Sequence, residues 1–195
     1  MQESEQTGNT KKENFLKELV KLSLIVLLIV VPFRIFIAQP FVVNGASMEP
    51  TFGNGDYLIV DQITYRFEKP ERGDVLIFRF PQNTKKFFIK RLIGLPGETI
   101  NIESGEVKIS NGDRPQGFIL TEPYIEFLKK DNFSVTLKED EYFVLGDNRL
   151  GSADSRVWGP LNEKLIVGRP IIRLFPLSNI ALLPGTYESS LYEED

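Results

Sequence analysis

Residues 87–109, FFIKRLIGLPGETINIESGEVKI, carry the pattern that decides the fold. Three runs rich in aromatic and β-branched residues, Phe87–Leu92, Thr99–Ile102 and Glu106–Ile109, are separated by the turn-forming pairs Pro96-Gly97 and Ser104-Gly105. Runs of this length between such pairs are typical of short β-strands. The segment therefore predicts β-structure.

The same pattern continues on both sides of this segment, from Phe41 to Phe175. The further predicted strands are Phe41–Asn44, Tyr57–Gln62, Asp74–Arg79, Ser134–Leu137, Tyr142–Leu145 and Leu165–Phe175. No stretch of this region has a convincing helical period over ten residues, and the longest connection runs over residues 112–132. We therefore predict one mostly β domain with long connections over residues 39–195, which is long enough to form one core.

The first 38 residues differ in composition from the rest of the chain. Residues 1–14 are polar, which predicts a disordered cytosolic tail. Leu19–Ala38 is a mostly apolar segment of 20 residues, and about 20 residues are needed to cross a bilayer. We therefore predict a transmembrane anchor over residues 15–38, so that one N-terminal transmembrane helix precedes the β domain.

A cleaved signal peptide is the alternative interpretation of this segment, because a basic start and a short apolar core also fit one. Bulky Phe36 stands where a cut after Ala38 would need a small residue, which favours a retained anchor. The lysines before the helix place the N-terminus in the cytosol by the positive-inside rule. The prediction is a single-pass protein of the plasma (inner) membrane, with its β domain on the trans, extracytoplasmic side.

Composition excludes several classes of chemistry. The chain contains no histidine and no cysteine, which excludes a Ser-His-Asp triad, a Cys-His pair and a disulfide framework. Lys and Arg total 23 against 27 Asp and Glu, a formal net charge of −4, and no basic patch is present. We therefore expect no nucleic-acid partner. A nucleophile in this chain would need a lysine or a carboxylate as its base.

Ser47 and Lys90 are the residues that this restriction singles out. Ser47 follows Gly45-Ala46, and small residues there let a substrate backbone approach and leave the Ser47 amide free to bind an oxyanion. Both faces of the predicted strand around Lys90 are apolar, so we expect a buried amine with a lowered pKa that can act as a general base. The alternatives are an ordinary turn serine and a lysine that snorkels from a strand end.

The segment Gly146–Arg156 is a third candidate. It follows an apolar strand and carries seven hydrogen-bonding side chains in eleven positions, a density typical of functional loops. A calcium loop is the competing interpretation, but only Asp147 and Asp154 are acidic and no closing glutamate follows. We therefore expect no bound metal.

These motifs coincide in type and order with those of a known family. They are Ser47-Met48-x-Pro50-Thr51, Gly55-Asp56-Tyr57-x-x-Val60, Arg72-Gly73-Asp74-Val75, Ile89-Lys90-Arg91-x-x-Gly94-Leu95-Pro96-Gly97 and Gly146-Asp147-Asn148-Arg149-x-x-Ser152-x-Asp154-Ser155-Arg156. With them behind an N-terminal anchor, the chain resembles the type I signal peptidases (leader peptidases), membrane-bound serine proteases with a Ser/Lys dyad. The resemblance runs from the anchor to near residue 176 and implies a signal-peptidase-like β domain.

The resemblance implies a role for each motif. Ser47 is expected to be the nucleophile, Lys90 the general base, and Ser152 the second hydroxyl, which hydrogen-bonds the lysine amine and orients it. The charged residues expected to support the site are Arg91, Asp147, Asp154 and Arg156. The signal peptide is expected to bind as an added β-strand. The residues expected to contact it are Phe41, Val43, Gly45, Met48, Phe87 and Ile89.

The implied activity is the removal of N-terminal signal peptides from exported preproteins by an endopeptidase that cuts after small residues. The implied partners are preproteins and membrane lipid, and no cofactor is expected. Two features depart from the family pattern. Some members carry a serine two residues before the nucleophile as an oxyanion donor, where this chain has Gly45, and the second membrane segment of some members is not found here.

Three other interpretations remain open. A Ser/Lys autoprotease of the SOS-repressor type shares the mostly β catalytic fold, but it would be expected to carry a DNA-binding helix-turn-helix. A membrane-tethered β adaptor without activity would make the Ser/Lys motif accidental. A family member with a dedicated substrate, such as a pilin or spore-coat precursor, is not distinguished from a general processing enzyme.

Overall fold

The structure is a computed structural model that describes residues 6–32 and 38–187. The chain divides into two compact units, Met1–Gln39 and Pro40–Asp195. The N-terminal unit contains helix α1 (Gln6–Pro32). The second unit is mostly β, as the sequence predicts.

Helix α1 begins inside residues 1–14, which the sequence predicted to be a disordered tail. Lys11, Lys12 and Glu13 lie in this part of the chain, and both residue types are good helix formers. In the described part of the chain, no helix combines the length and the apolar character that a membrane crossing requires. Residues 33–37 of the predicted anchor lie outside the described residues, and the division into tail, anchor and domain stays a prediction.

Twelve strands and one further α-helix follow in the described residues. The strands are β1 (Ala38–Val42), β2 (Tyr57–Asp61), β3 (Val75–Phe80), β4 (Asn83–Gly94), β5 (Thr99–Glu103), β6 (Glu106–Ser110), β7 (Phe118–Ile119), β8 (Phe133–Thr136), β9 (Glu141–Leu145), β10 (Leu161–Asn162), β11 (Ile166–Phe175) and β12 (Ala181–Leu182). Helix α2 (Ser155–Trp158) is a single turn. All nine predicted strands are present. The two-residue strands β7, β10 and β12 were not predicted, because two residues carry no alternation.

The described strands form two sheets. The larger has the order β1-β2-β11-β3-β4-β9-β10, with β12 on β11, and the smaller has the order β7-β6-β5-β8. Strand β4 pairs with β3 from Asn83 to Arg91, but its register with β9 begins only at Arg91. The first half of β4 therefore has an edge on which none of the described strands is registered.

Three buried apolar clusters hold these sheets in place. One lies between the smaller sheet and the ends of β4 and β9, and it includes Ile93, Ile100 and Phe143. A second, around Leu76 and Phe78, packs on β3, β4 and β9. The third packs β2 and β3 against the segment that joins β1 to β2, through residues that include Met48, Phe52 and Val60. Burial of each such side chain contributes about 1.5–3 kcal/mol, so the segment after Ser47 is held firmly against the sheet.

Candidate active site

Ser47 lies in the segment between β1 and β2. Gly45 precedes it with φ +98°, a left-handed conformation that glycine adopts without steric cost. Met48 and Phe52 follow it as fully buried side chains, and Phe52 N donates to Met48 O at 2.8 Å. These contacts leave the Ser47 side chain half-buried at the surface of the sheet.

Lys90 lies on β4 and points at Ser47. Its side chain enters the protein interior, and the residue is only 3% exposed. Lys90 Nζ and Ser47 Oγ are hydrogen-bonded at 2.7 Å, and the amine also donates to Ile89 O at 2.8 Å. The structure therefore brings together two residues that are 43 positions apart in the sequence.

Burial changes the proton affinity of this amine. Desolvation disfavours the charged form and lowers the pKa of Lys90 to about 8, although the negative charges of Asp154 and Asp147 act in the opposite direction. A substantial fraction of the amine is therefore neutral at mildly alkaline pH. A neutral amine at hydrogen-bond distance from a serine hydroxyl is positioned to accept its proton.

Arg91 and Asp147 form a fully buried ion pair beside Lys90. Arg91 Nε and Nη2 donate to the two oxygens of Asp147 at 2.9 and 2.7 Å. Asp147 Oδ2 also accepts from Thr51 Oγ1 at 2.6 Å. The pair therefore links β4, which carries Lys90, to the segment that carries Ser47.

Asp154 and Arg156 form a second ion pair at the start of α2. Asp154 is fully buried, caps α2 and accepts hydrogen bonds from Arg156 at 2.8 Å. Burial alone would raise the pKa of Asp154, but the hydrogen bonds and positive charge of Arg156 outweigh it and hold the pKa below its usual value. Asp154 also accepts from Gly146 N at 3.2 Å, so the two ends of the segment Gly146–Arg156 are joined.

Ser152 is buried close to this centre. Beside Gly146, there is no room for a side chain, because a Cβ would come within 2.3 Å of Ser152 Oγ and 2.4 Å of Ser47 O. Ser152 Oγ is enclosed by the protein and makes no hydrogen bond to Lys90 Nζ. The predicted hydrogen bond from Ser152 to the amine of Lys90 is therefore not formed in this structure, where the amine is bonded to Ser47 and Ile89 instead.

A cleft of about 490 Å³ opens in front of Ser47 and Lys90. Its walls come from β1 with the segment after it, and from the first half of β4, whose edge away from β3 has no registered strand among the described residues. The Phe41 and Phe87 rings meet edge to face, with centroids 5.2 Å apart. Five of the six residues predicted to bind substrate line it, namely Phe41, Val43, Gly45, Phe87 and Ile89.

Met48 is the exception among the predicted substrate-binding residues. Its side chain is fully buried in the cluster with Phe52 and Val60 and does not line the cleft. Residues 47–50 form a turn, and Met48 is the residue of this turn whose side chain packs into the core. The structure therefore places Met48 in the core and outside the cleft, and substrate contact by Met48 stays a prediction.

The backbone around Ser47 leaves one donor free for catalysis. No group among the described residues accepts a hydrogen bond from the Ser47 amide. The neighbouring carbonyls are occupied, because Asn148 Nδ2 donates to Ala46 O and Asn148 N donates to Ser47 O, both at 3.1 Å. The free amide is a candidate donor to an oxyanion formed at Ser47.

Several residues of the site were missed by sequence reasoning. Tyr124 and Tyr187 place their rings on the Arg91 guanidinium, with centroids 4.0 and 5.1 Å from its central carbon. Glu122 forms a buried ion pair with Arg149. Tyr124 and Glu122 belong to the longest connection, where the sequence has no periodic pattern that could have indicated them.

Over residues 6–32 and 38–187, no cluster of three or more Asp, Glu, His or Cys is arranged to hold a metal.

Comparison with known proteins identifies the family. The family model described as "Signal peptidase, peptidase S26" matches residues 16–175. A probable signal peptidase I-2 of Synechocystis sp. is 31% identical over 99% of this chain and 88% of the relative. Signal peptidase I P of Bacillus subtilis subsp. natto is 35% identical over 87% of this chain and 94% of the relative.

A solved structure is also similar. The crystal structure of a signal peptidase I from Enterococcus faecalis is 32% identical, covers 52% of this chain and 97% of that chain, and superposes with a TM-score of 0.45. The family match spans most of the sequence and includes both Ser47 and Lys90. The chain therefore belongs to the signal peptidase family, peptidase S26, and is a serine endopeptidase.

Proposed function

We propose that this chain removes N-terminal signal peptides from exported preproteins, with Ser47 as the nucleophile and Lys90 as the general base. The observation that carries the proposal is the 2.7 Å contact between Ser47 Oγ and a buried lysine amine whose pKa is lowered to about 8. The absence of histidine from the sequence leaves no imidazole for this role. The substrate class follows from the relatives, which are named as signal peptidases I.

The reaction proceeds in two steps. The neutral amine of Lys90 takes the proton of Ser47 as Oγ attacks the scissile carbonyl, and the Ser47 amide donates to the oxyanion. The amine then returns this proton to the departing amino group, which leaves an acyl-enzyme on Ser47. Lys90 next takes a proton from a water molecule, which attacks the ester carbonyl. The amine then gives this proton to Ser47 Oγ as the ester bond breaks, which releases the signal peptide with a free carboxyl end and restores the neutral amine.

The cleft is suited to an extended peptide. The first half of β4 has a free strand edge on one wall, and β1 is the outer strand of the sheet on the other. A peptide that adds to such an edge gains backbone hydrogen bonds without a particular side-chain sequence. Small side chains next to the cut are expected, because Ala46, Leu58 and Ile77 line the cleft and limit the space there.

We further propose that residues 15–38 anchor the chain in the plasma (inner) membrane, with the β domain on the extracytoplasmic side. The residues from Leu22 to Ile29 are almost all apolar, and their side chains are exposed on α1. A helix that is apolar on all sides needs an apolar environment. An anchor of this kind would hold the enzyme beside substrates whose signal peptides lie in the same bilayer, which raises their local concentration.

Cleavage of a preprotein by the full chain tests the proposed dyad. Lys90→Ala should lower kcat by about 10²–10⁴-fold, the usual contribution of a general base. Ser47→Ala removes the nucleophile and should lower kcat by at least as much. Lys108→Ala is the control, because Lys108 is exposed on β6 of the smaller sheet and does not line the cleft. N-terminal sequencing of the mature product gives the cut site. Near-normal cleavage by either dyad variant would refute the assignment.

A further inference from the structure

The segment Leu183–Tyr187, named here the C-terminal strap, packs against the end of the segment that carries Ser47. Gly185 has φ +81°, and a Cβ at this residue would come within 2.8 Å of the Phe52 ring and 3.1 Å of the Thr51 methyl group. Thr51 is the residue whose hydroxyl donates to Asp147. The strap therefore lies directly on the link between Ser47 and the buried ion pair.

The strap also contacts Arg91, the residue that follows Lys90. Gly185 O accepts a hydrogen bond from Arg91 Nη1 at 2.6 Å. The Tyr187 ring centroid lies 5.1 Å from the guanidinium carbon and 5.2 Å from the centroid of the Tyr124 ring. An aromatic face at this distance attracts a cation, so both tyrosines favour the position in which Arg91 binds Asp147.

Arg91 connects the C-terminal strap to Ser47 and Lys90. Lys90 and Arg91 are consecutive on β4, so any displacement of the Arg91 backbone also displaces Lys90. On the other side, Asp147 is bonded to Thr51, four residues after Ser47. The distance between an amine and the hydroxyl that it deprotonates has to be held to a fraction of an ångström, because small misplacements cause large losses of rate.

We propose that the C-terminal strap is a positioning element for the Ser47–Lys90 pair, and that Tyr187 is its main positioning residue; this inference rests on the proposed function. The family model ends at residue 175, so the strap lies outside the matched region. None of the strap residues lines the cleft. Loss of the strap contact is therefore expected to reduce turnover rather than substrate binding.

The test is steady-state cleavage of a preprotein by the full chain and its Tyr187 variants. Tyr187→Ala should lower kcat by about tenfold with KM nearly unchanged, and should move the midpoint of the pH–rate profile upward, because a looser site admits water to the amine. Tyr187→Phe should restore both values, because the Tyr187 hydroxyl makes no hydrogen bond among the described residues. Phe67→Ala, at an aromatic residue that is 84% exposed, is the control.

Three results would overturn the positioning role: normal kcat and pH midpoint in Tyr187→Ala, equal losses in the Ala and Phe variants, or a change confined to KM. If Tyr187→Ala unfolds, Tyr187→Leu takes its place, since it keeps apolar volume without an aromatic face. A folded Tyr187→Leu variant with full activity also overturns the role. An unmodified chain that cleaves no signal peptide refutes the proposed function itself, whereas an active chain with unaffected variants refutes the strap alone.

Discussion

Lys90 shows how one buried side chain sets the chemistry of this site. Transfer of an ammonium group from water to the protein interior is costly, so the residue shifts its pKa and becomes neutral more easily. The nearby carboxylates of Asp147 and Asp154 limit this shift, but each is already bound to an arginine. The positive charges of these arginines partly offset the effect of the two carboxylates on the pKa of Lys90, so the amine can still act as a base.

The pH dependence of cleavage follows from this pKa. Only neutral Lys90 accepts the serine proton, so kcat/KM should rise with pH through about 8 and level off above it. Two pH units below the midpoint, about 1% of the amine is neutral and the rate should be about 100-fold lower. The measurement is kcat/KM for a peptide substrate between pH 5 and 10. A rate that stays constant from pH 9 to pH 6, or a midpoint at the ordinary lysine value of 10.5, would contradict a buried lysine base.

At the scale of elements, the segment Gly146–Arg156 is held by ion pairs rather than by regular secondary structure. Arg91 binds Asp147 at one end, Arg156 binds Asp154 and Asp131 at the other, and Glu122 binds Arg149 between them. These bonds connect the segment to β4 and to the long connection after β6. Ion pairs therefore fix the segment Gly146–Arg156 beside Ser47 and Lys90, although the segment contains little helix or strand.

Removal of one charge from the central pair should weaken the whole fold. Asp147→Asn leaves the Arg91 guanidinium buried without its counter-charge, which is expected to destabilise the protein by about 3–5 kcal/mol. Denaturant unfolding of the variant and the parent measures this difference. Asp113→Asn is the control, because Asp113 is exposed and its side chain forms no ion pair in the described chain. A loss below about 1 kcal/mol, the range of surface pairs, would show that the buried pair contributes little.

At the scale of the whole molecule, the order of strands in the larger sheet creates the site. β11 comes late in the sequence but lies between β2 and β3, and it thereby joins the start of the domain to its end. The walls of the cleft, from β1 and from β4, lie close enough for Phe41 and Phe87 to touch. A single fold thus provides both a strand edge that no described strand occupies and the Ser47–Lys90 pair beside it.

The proposed anchor gives a prediction for the full chain in its membrane. The protein should stay in the membrane pellet after alkaline carbonate extraction, because an apolar helix of about 20 residues is not released by high pH. Protease added from outside to spheroplasts should digest the β domain, whereas inverted vesicles should protect it. A soluble product that lacks residues 1–38 would instead favour the cleaved signal peptide, and protection in spheroplasts would contradict the orientation.

The sequence by itself determined which segments become strands and which residue types can do the chemistry. Alternation and turn pairs are local properties, so all nine longer strands were predicted, and the absence of histidine directed attention to Ser47 and Lys90. Their catalytic roles stay predictions, as do those of the supporting charges. Only the tertiary structure decided that these two side chains meet at 2.7 Å, that Met48 faces the core, and that Tyr124 and Tyr187 pack on Arg91. A local pattern predicts which face of a strand is buried, but it does not predict which distant residues pack against that face. The free energy of burial depends on the apolar area removed from water and not on how far apart two residues are in the sequence.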